Sequence, residues 1–310
     1  MRLATAAVVG CTLLVACGGS SGPAQPVAAP DRHPVTMRWE TFVDATRPTD
    51  AVDDTADKSD RTFETEIVAP EGTGGPFPLI VFSHGNGVSS PVRYDALFRA
   101  WAGAGYVIAA PKFPLSSTSM LGAAGDVVNQ PADVSFLITE MTRRNPGLVD
   151  GNRVAVAGHS LGAMTSLAVG YNRCCIDNRV KAVVSLAGSL IMAFPEDRWF
   201  PGGQTPLLVV HGDDDKVVRI EGGQKAFDNA PPPKAMLTVI GGDHGRPYGG
   251  GLATTENPER LGADPQGDTR LVNATVVGFL DQYVRDDPAS FTKVRRALDS
   301  EIDVRLQYVS

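Results

Sequence analysis

The chain predicts an α/β architecture, a mostly parallel central sheet with helices on both faces. Three observations carry this. Continuous apolar runs recur, as in Leu79-Ile-Val-Phe82, Tyr106-Val-Ile-Ala-Ala110 and Pro206-Leu-Leu-Val-Val210, and a strand covered on both faces reads as such a run rather than as an alternation. Between them lie stretches with helical spacing, such as Val134, Leu137, Ile138 and Met141. The two kinds of segment take turns, and that order calls for parallel strands joined by crossover helices.

Composition agrees. The 310 residues are 43% hydrophobic, enough for one substantial core in a domain expected over 35–310. The 33 Gly and 23 Pro sit between apolar runs, so they mark tight turns. The formal charge of −7 comes with no Lys/Arg run and no basic-aromatic interleaving, which excludes nucleic acid as a partner.

The first residues read as a processing segment, not as part of the fold. Arg2 supplies a positive start, and Leu3 to Ala16 is apolar and uncharged. Leu14-Val-Ala-Cys-Gly18 then resembles a bacterial lipoprotein signal, with Cys17 lipidated as the new N-terminus and 1–16 removed. An ordinary secretory signal cleaved nearby is the alternative. Residues 17–34, rich in Gly, Ser, Pro and Ala, form a tether that would hold the domain off a membrane. No later apolar run is long enough to span a bilayer.

In chain order, Val35 to Arg47 and Arg61 to Ala69 alternate, as expected of antiparallel strands at a sheet edge, with a polar loop from Asp50 to Asp60 between them. Leu79 to Ser83 is a buried strand ending in His84-Gly-Asn-Gly87. Tyr94 to Gly103 reads as a helix, and Tyr106 to Ala110 as the next strand. Pro131 opens a helix over Ala132 to Arg144. Val154 to Ala157 is a strand, and Ala163 to Tyr171 a helix. Further strands are Val180 to Ala187, Pro206 to Val210 and Met236 to Ile240, the last of them. Gly188 to Thr205 is an irregular loop. Helices near Ile220 to Ala230 and Thr269 to Val284 complete the pattern, with an irregular Gly-rich stretch before the second.

The chemistry centres on Gly158-His-Ser-Leu-Gly162. Gly-x-Ser-x-Gly between a strand and a helix is a nucleophile elbow, in which the turn is so tight that only glycine fits at the flanks. A serine hydroxyl needs a base to take its proton, and the base needs an acid to orient it. In this arrangement the chain order is serine, acid, histidine. Of five histidines, His33 is in the tether, His159 points elsewhere on the turn, and His84 and His211 end strands where they bond loop backbone. His244, after the strand at Met236 to Ile240, is left as the base of Ser160.

Among three adjacent carboxylates, the pattern His211-Gly-Asp-Asp-Asp-Lys-Val-Val218 selects Asp215 as the acid. Asp213 and Asp214 then serve the turn, and Asp243 is structural. The oxyanion of a tetrahedral intermediate needs two donors. The backbone N–H of Leu161 is one, and that of Asn86, in the loop after the first buried strand, is the other. Trp199, Phe200, Phe113 and Tyr248 are candidate lining residues. No set of residues has the spacing of a metal site. Cys174 and Cys175 are adjacent and are expected as two partly buried thiols, because geometry disfavours a disulfide between neighbours.

With these residues assembled, the chain resembles the α/β-hydrolase superfamily over Val35 to Asp286. Within it, the chain resembles the plasma-type platelet-activating-factor acetylhydrolases and related bacterial dienelactone-hydrolase-like proteins. The carriers are Val43-Asp-Ala-Thr-Arg-Pro48, Phe77-Pro-Leu-Ile-Val-Phe-Ser-His-Gly-Asn-Gly87, Asn129-Gln-Pro-Ala-Asp-Val-Ser-Phe136 and Gly158-His-Ser-Leu-Gly162. Cutinase-type polyester hydrolases share a similar layout, but their C-terminal disulfide has no counterpart, since no cysteine follows Cys175. Dienelactone hydrolases use a cysteine nucleophile where Ser160 stands. The resemblance implies a metal-free, cofactor-free ester hydrolase working through an acyl-enzyme, with Ser160, Asp215 and His244 as triad and Asn86 and Leu161 at the oxyanion. A small ester, short-acyl or lipid-like, is the expected substrate, since the region between the last strands is too short for a large separate lid, and the resemblance leaves Pro288 to Ser310 unexplained. A peptidase of the same fold, or a surface-binding lipoprotein without catalysis, remains as an alternative.

Overall fold

The computed structural model describes residues 33–49, 59–87, 94–117, 124–249 and 265–310. The expected signal segment, Cys17 and the tether up to residue 32 lie outside the described residues, as do residues 50–58 of the expected polar loop.

The described strands form one nine-stranded sheet in the order β1-β2-β4-β3-β5-β6-β7-β8-β9. β1 (Val35–Pro48) and β2 (Asp60–Pro70) make the antiparallel pair at one edge, in register from Val35 opposite Pro70 to Asp44 opposite Arg61. β2 runs antiparallel to β4 (Val107–Pro111). From β4 onward, β3 (Phe77–Ser83), β5 (Val149–His159), β6 (Val180–Leu186), β7 (Leu207–Gly212) and β8 (Lys234–Val239) are all parallel. This is the predicted mostly parallel sheet, and β3, β4, β7 and β8 are buried along their whole length.

Helices cover both faces. α1 (Asp95–Gly103), α5 (Pro265–Val284) and α6 (Ser290–Leu298) pack on one side through Leu97, Phe98, Trp101, Phe279 and Phe291. α2 (Gln130–Arg144), α3 (Leu161–Tyr171) and α4 (Ile220–Asn229) pack on the other through Leu137, Ile138, Leu167 and Phe227. Side chains alternate across each strand, so Ile80, Phe82, Ala155 and Ala157 face the first layer while Leu79, Val81, Val154 and Val156 face the second.

Two features depart from the sequence reading. The strand at Met236 to Ile240 is not the last. The C-terminal tail folds into α6 and then β9 (Val304–Val309), which pairs antiparallel with β8 from Lys234 opposite Val309 to Val239 opposite Val304. β8 would otherwise present an open row of N–H and C=O groups, and the alternating Val304-Arg-Leu-Gln-Tyr-Val309 supplies the covering strand. The second feature is a buried ion cluster. The fully buried Arg61 of β2 gives two hydrogen bonds to Asp133 of α2, at 2.7 Å each, and two to Asp126, at 2.8 and 2.9 Å. Arg47 of β1 joins at 2.8 Å from Asp133 and 2.7 Å from Asp44. The cluster fastens the edge hairpin to the start of α2.

Because β3, β5, β7 and β8 are parallel, their C-terminal ends open onto the same side of the sheet. The loops that follow them carry Asn86, Ser160, Asp215 and His244. In open α/β sheets a ligand crevice forms along that edge.

Candidate active site

β5 passes into α3 through a single residue, Ser160, at φ 55° and ψ −119°. A positive φ is uncommon for a residue with a Cβ, and such conformations cost on the order of 1–3 kcal/mol. The turn is held by the Ser160 N–H, which donates to the Leu186 carbonyl of β6 at 2.9 Å. Both predicted glycines are required by space. A Cβ on Gly158 would run into the Gly162 carbonyl, and one on Gly162 into the Ser83 and His84 carbonyls. Ser160 stays partly exposed at the sheet edge.

Three residues far apart in sequence meet here. His244 Nε2 lies 2.8 Å from Ser160 Oγ, and its Nδ1 lies 2.7 Å from Asp215 Oδ2. A neutral ring with its proton on Nδ1 donates to Asp215 and leaves Nε2 free to accept from the serine hydroxyl. Asp215 is fixed in turn. Its Oδ1 accepts from the backbone N–H groups of Val217 and Val218 at 2.8 and 2.9 Å. Burial pushes the Asp215 carboxyl up, but hydrogen bonds from His211 and His244 and the electrostatic attraction of the His244 ring outweigh it and bring the carboxyl well below the usual range.

The neighbouring carboxylates take other partners, Asp213 and Asp243 in turns as expected and Asp214 in a surface ion pair instead. Asp213 accepts from the Gly241 N–H at 2.6 Å and faces Arg305 of β9 at 3.8 Å. Asp214 pairs with Lys216 on the surface. Asp243 caps the turn after His244, accepting from Gly245 and Arg246 N–H at 2.9 and 2.7 Å.

The positions chosen for the oxyanion flank the serine. Leu161 is the first residue of α3, where helical amides have no internal acceptor. The loop with Asn86 lies against the elbow, since a Cβ on Gly85 would stand 3.3 Å from Ser160 Cβ and 3.2 Å from His159 Nδ1. Gly87 turns the chain at φ 71°, and its N–H donates to the Ser116 carbonyl at 2.8 Å.

The remaining histidines differ from one another. His84 keeps to the loops as expected, with Nδ1 2.7 Å from the Gly85 carbonyl and Nε2 accepting from the Phe113 N–H at 3.2 Å. Burial lowers its pKa. His211 donates from Nε2 to the Val218 carbonyl at 2.7 Å, and it also stands 3.5 Å from Asp215 Oδ2, so it braces the acid as well as the loop. His159 directs its ring to other groups than the serine hydroxyl, and those groups belong to the site: its Nε2 lies 2.6 Å from the His244 carbonyl, its Nδ1 3.0 Å from the Tyr94 hydroxyl, and its ring 4.8 Å from the His244 ring. Sequence offered only its place beside the serine.

The aromatic candidates divide. Tyr248 is buried against His159 at 5.1 Å, its hydroxyl donating to the Val210 carbonyl, and Phe113 lies under His84 at 5.2 Å. Phe200 bonds backbone to Tyr171, and Trp199 bridges to Asn172. Both contacts are at the end of α3 opposite Ser160, roughly 16 Å along an eleven-residue helix. Cys174 and Cys175 are joined by a disulfide, which corrects the expectation of two thiols. They follow that same end of α3, and Cys175 packs against the apolar cluster of Val127, Leu161, Ala168 and Phe194.

Among known proteins, a family model described as Chlorophyllase matches residues 45–188. That span contains Asn86, Ser160 and Leu161 and ends before Asp215 and His244. A search of curated proteins finds no match. Among solved structures, a ferulic acid esterase from Streptomyces cinnamoneus aligns with a TM-score of 0.68 at 20% identity, covering 93% of this chain and 100% of that one. The chain has an α/β-hydrolase fold.

Proposed function

We propose that this protein is a serine carboxylic ester hydrolase acting through an acyl-enzyme. One observation carries the reading: a partly exposed serine on a positive-φ turn, 2.8 Å from an imidazole that is itself 2.7 Å from a buried carboxylate. The Chlorophyllase match across the elbow and the ferulic acid esterase likeness agree with an ester hydrolase.

In this mechanism Ser160 Oγ attacks the ester carbonyl as His244 Nε2 takes its proton. Negative charge on the former carbonyl oxygen is met by the backbone N–H groups of Leu161 and Asn86, the first at a helix N-terminus, where the dipole favours an anion. His244 then protonates the departing alcohol, and water releases the acid by the same steps in reverse. Asp215 holds the ring in the productive tautomer and stabilises its charged form. These steps call on no cofactor or metal.

The substrate reading is a short-acyl or lipid-like ester. Leu161 belongs to a small apolar cluster with Val127, Ala168 and Phe194, edged near the serine by Met164 of the first turn of α3, which suits an uncharged group beside the nucleophile. Within this class we infer a likeness to the platelet-activating-factor acetylhydrolases, carried by the four stretches named above; two of their residues, Arg47 and Asp133, pair at 2.8 Å in the buried cluster. We place the protein outside the cell, held to a bacterial membrane through lipid on Cys17.

A panel of p-nitrophenyl esters from acetate to palmitate tests this. The expected result is the highest kcat/KM on acetate to butyrate. A preference for palmitate would overturn the short-acyl reading, and no turnover on any member would favour a non-catalytic binding lipoprotein.

A further inference from the structure

Behind the serine runs a chain of hydrogen bonds whose directions follow for a neutral His159 ring. The His244 carbonyl can only accept, so His159 donates to it from Nε2 at 2.6 Å. In the neutral ring Nδ1 then accepts, and the Tyr94 hydroxyl donates to it at 3.0 Å. The Gly85 N–H can only donate, and it gives to the Tyr94 oxygen at 3.2 Å. Tyr94 and His159 are both buried, and His159 is clamped between the His244 ring at 4.8 Å and the Tyr248 ring at 5.1 Å.

We propose that Tyr94 and His159 are positioning residues that tie the loop of Asn86 to the backbone of His244, so that the oxyanion donor and the general base are set by one strap. The inference rests on the esterase reading above. One end of the strap is the residue before Asn86, and the other is the carbonyl of the base itself. The joined loops follow β3 and β8, which are not neighbours in the sheet; the elbow histidine spans the gap from β5. Catalytic groups must hold their geometry closely, and a displacement of about 1 Å can cost about 100-fold in rate. A buried chain of this kind is one means of holding it.

The test uses the full chain with p-nitrophenyl acetate. His159→Phe removes the donor to His244, and kcat is expected to fall at least tenfold with KM within twofold. His159→Gln can donate from near the Nε2 position and should recover most of the loss. Tyr94→Phe should lower kcat at least threefold, and the double variant Tyr94→Phe with His159→Phe should be no slower than His159→Phe alone within twofold, because the two act as a unit. A Gln variant no better than Phe, a loss in KM instead of kcat, or multiplicative losses in the double variant would overturn the strap. Thermal unfolding of each variant reports folding. If His159→Phe does not fold, Tyr94→Phe decides, and an unchanged kcat there overturns the proposal. A wild-type protein that cleaves no ester would remove the reading underneath it, whereas an active wild type without rescue by Gln would remove the strap alone.

Discussion

Ser160 is held in a backbone conformation that its side chain disfavours, and its partners are equally constrained. Asp215 is the clearest case, because its carboxylate serves His244 on one oxygen and two backbone amides on the other. Its folded pKa is depressed, so the stability it contributes is present above the ordinary aspartate value of about 3.9 and is lost as pH falls through the lower folded value. Asp215→Asn should therefore lower Tm most near neutral pH, and the gap to wild type should shrink below about pH 4. A gap that widens on acidification would contradict the assignment. The same variant should lose about 10⁴-fold in kcat, the scale known for the triad acid of a serine protease. Asp214→Asn, on a surface-paired carboxylate, should change kcat less than twofold. These roles were legible because the elbow has fixed spacing and few histidines follow it. The role of His159 was not, since its partners Tyr94 and His244 are 65 and 85 residues away and no local pattern marks them.

At the scale of elements, the edge of the sheet is held by a charge cluster as well as by the buried side chains of Phe42, Phe63 and Ile67. Arg61 lies in β2, Asp126 before α2 and Asp133 inside it. Burial pushes the Asp133 carboxyl up against the pull of Arg61, while burial of the Arg61 guanidinium lowers it but is outweighed by the two carboxylates, which raise it. Removing one partner of such a group leaves uncompensated buried charge. Arg61→Met is expected to cost about 3–5 kcal/mol in urea unfolding, and a loss below about 1 kcal/mol would show that Arg47 and solvent compensate. Sequence marked Arg61 only as the start of an alternating strand, because a single charge at a strand end is usually on the surface. The tail shows a different limit. Val304, Leu306 and Tyr308 alternate as strand residues do, but alternation names no partner. That β9 seals β8 depends on α6 turning the chain back across the face of the sheet.

For the whole molecule, the buried strand runs set the architecture directly, because a strand covered on both faces leaves a mark in composition that survives without knowledge of neighbours. The parallel arrangement then brings four loop ends to one edge, and loops from residues 84 to 244 contribute to one site. Sequence could order the serine, the acid and the histidine along the chain, but not measure the distances among them, which come from the whole sheet. The central claim is that Ser160 is the nucleophile activated by this assembly. Intact-mass and peptide analysis after treatment with a fluorophosphonate tests it most directly. The account predicts one adduct per folded chain, carried on Ser160, at a rate that drops sharply in His244→Ala. Full folding with no adduct, or an adduct on another serine, would contradict it.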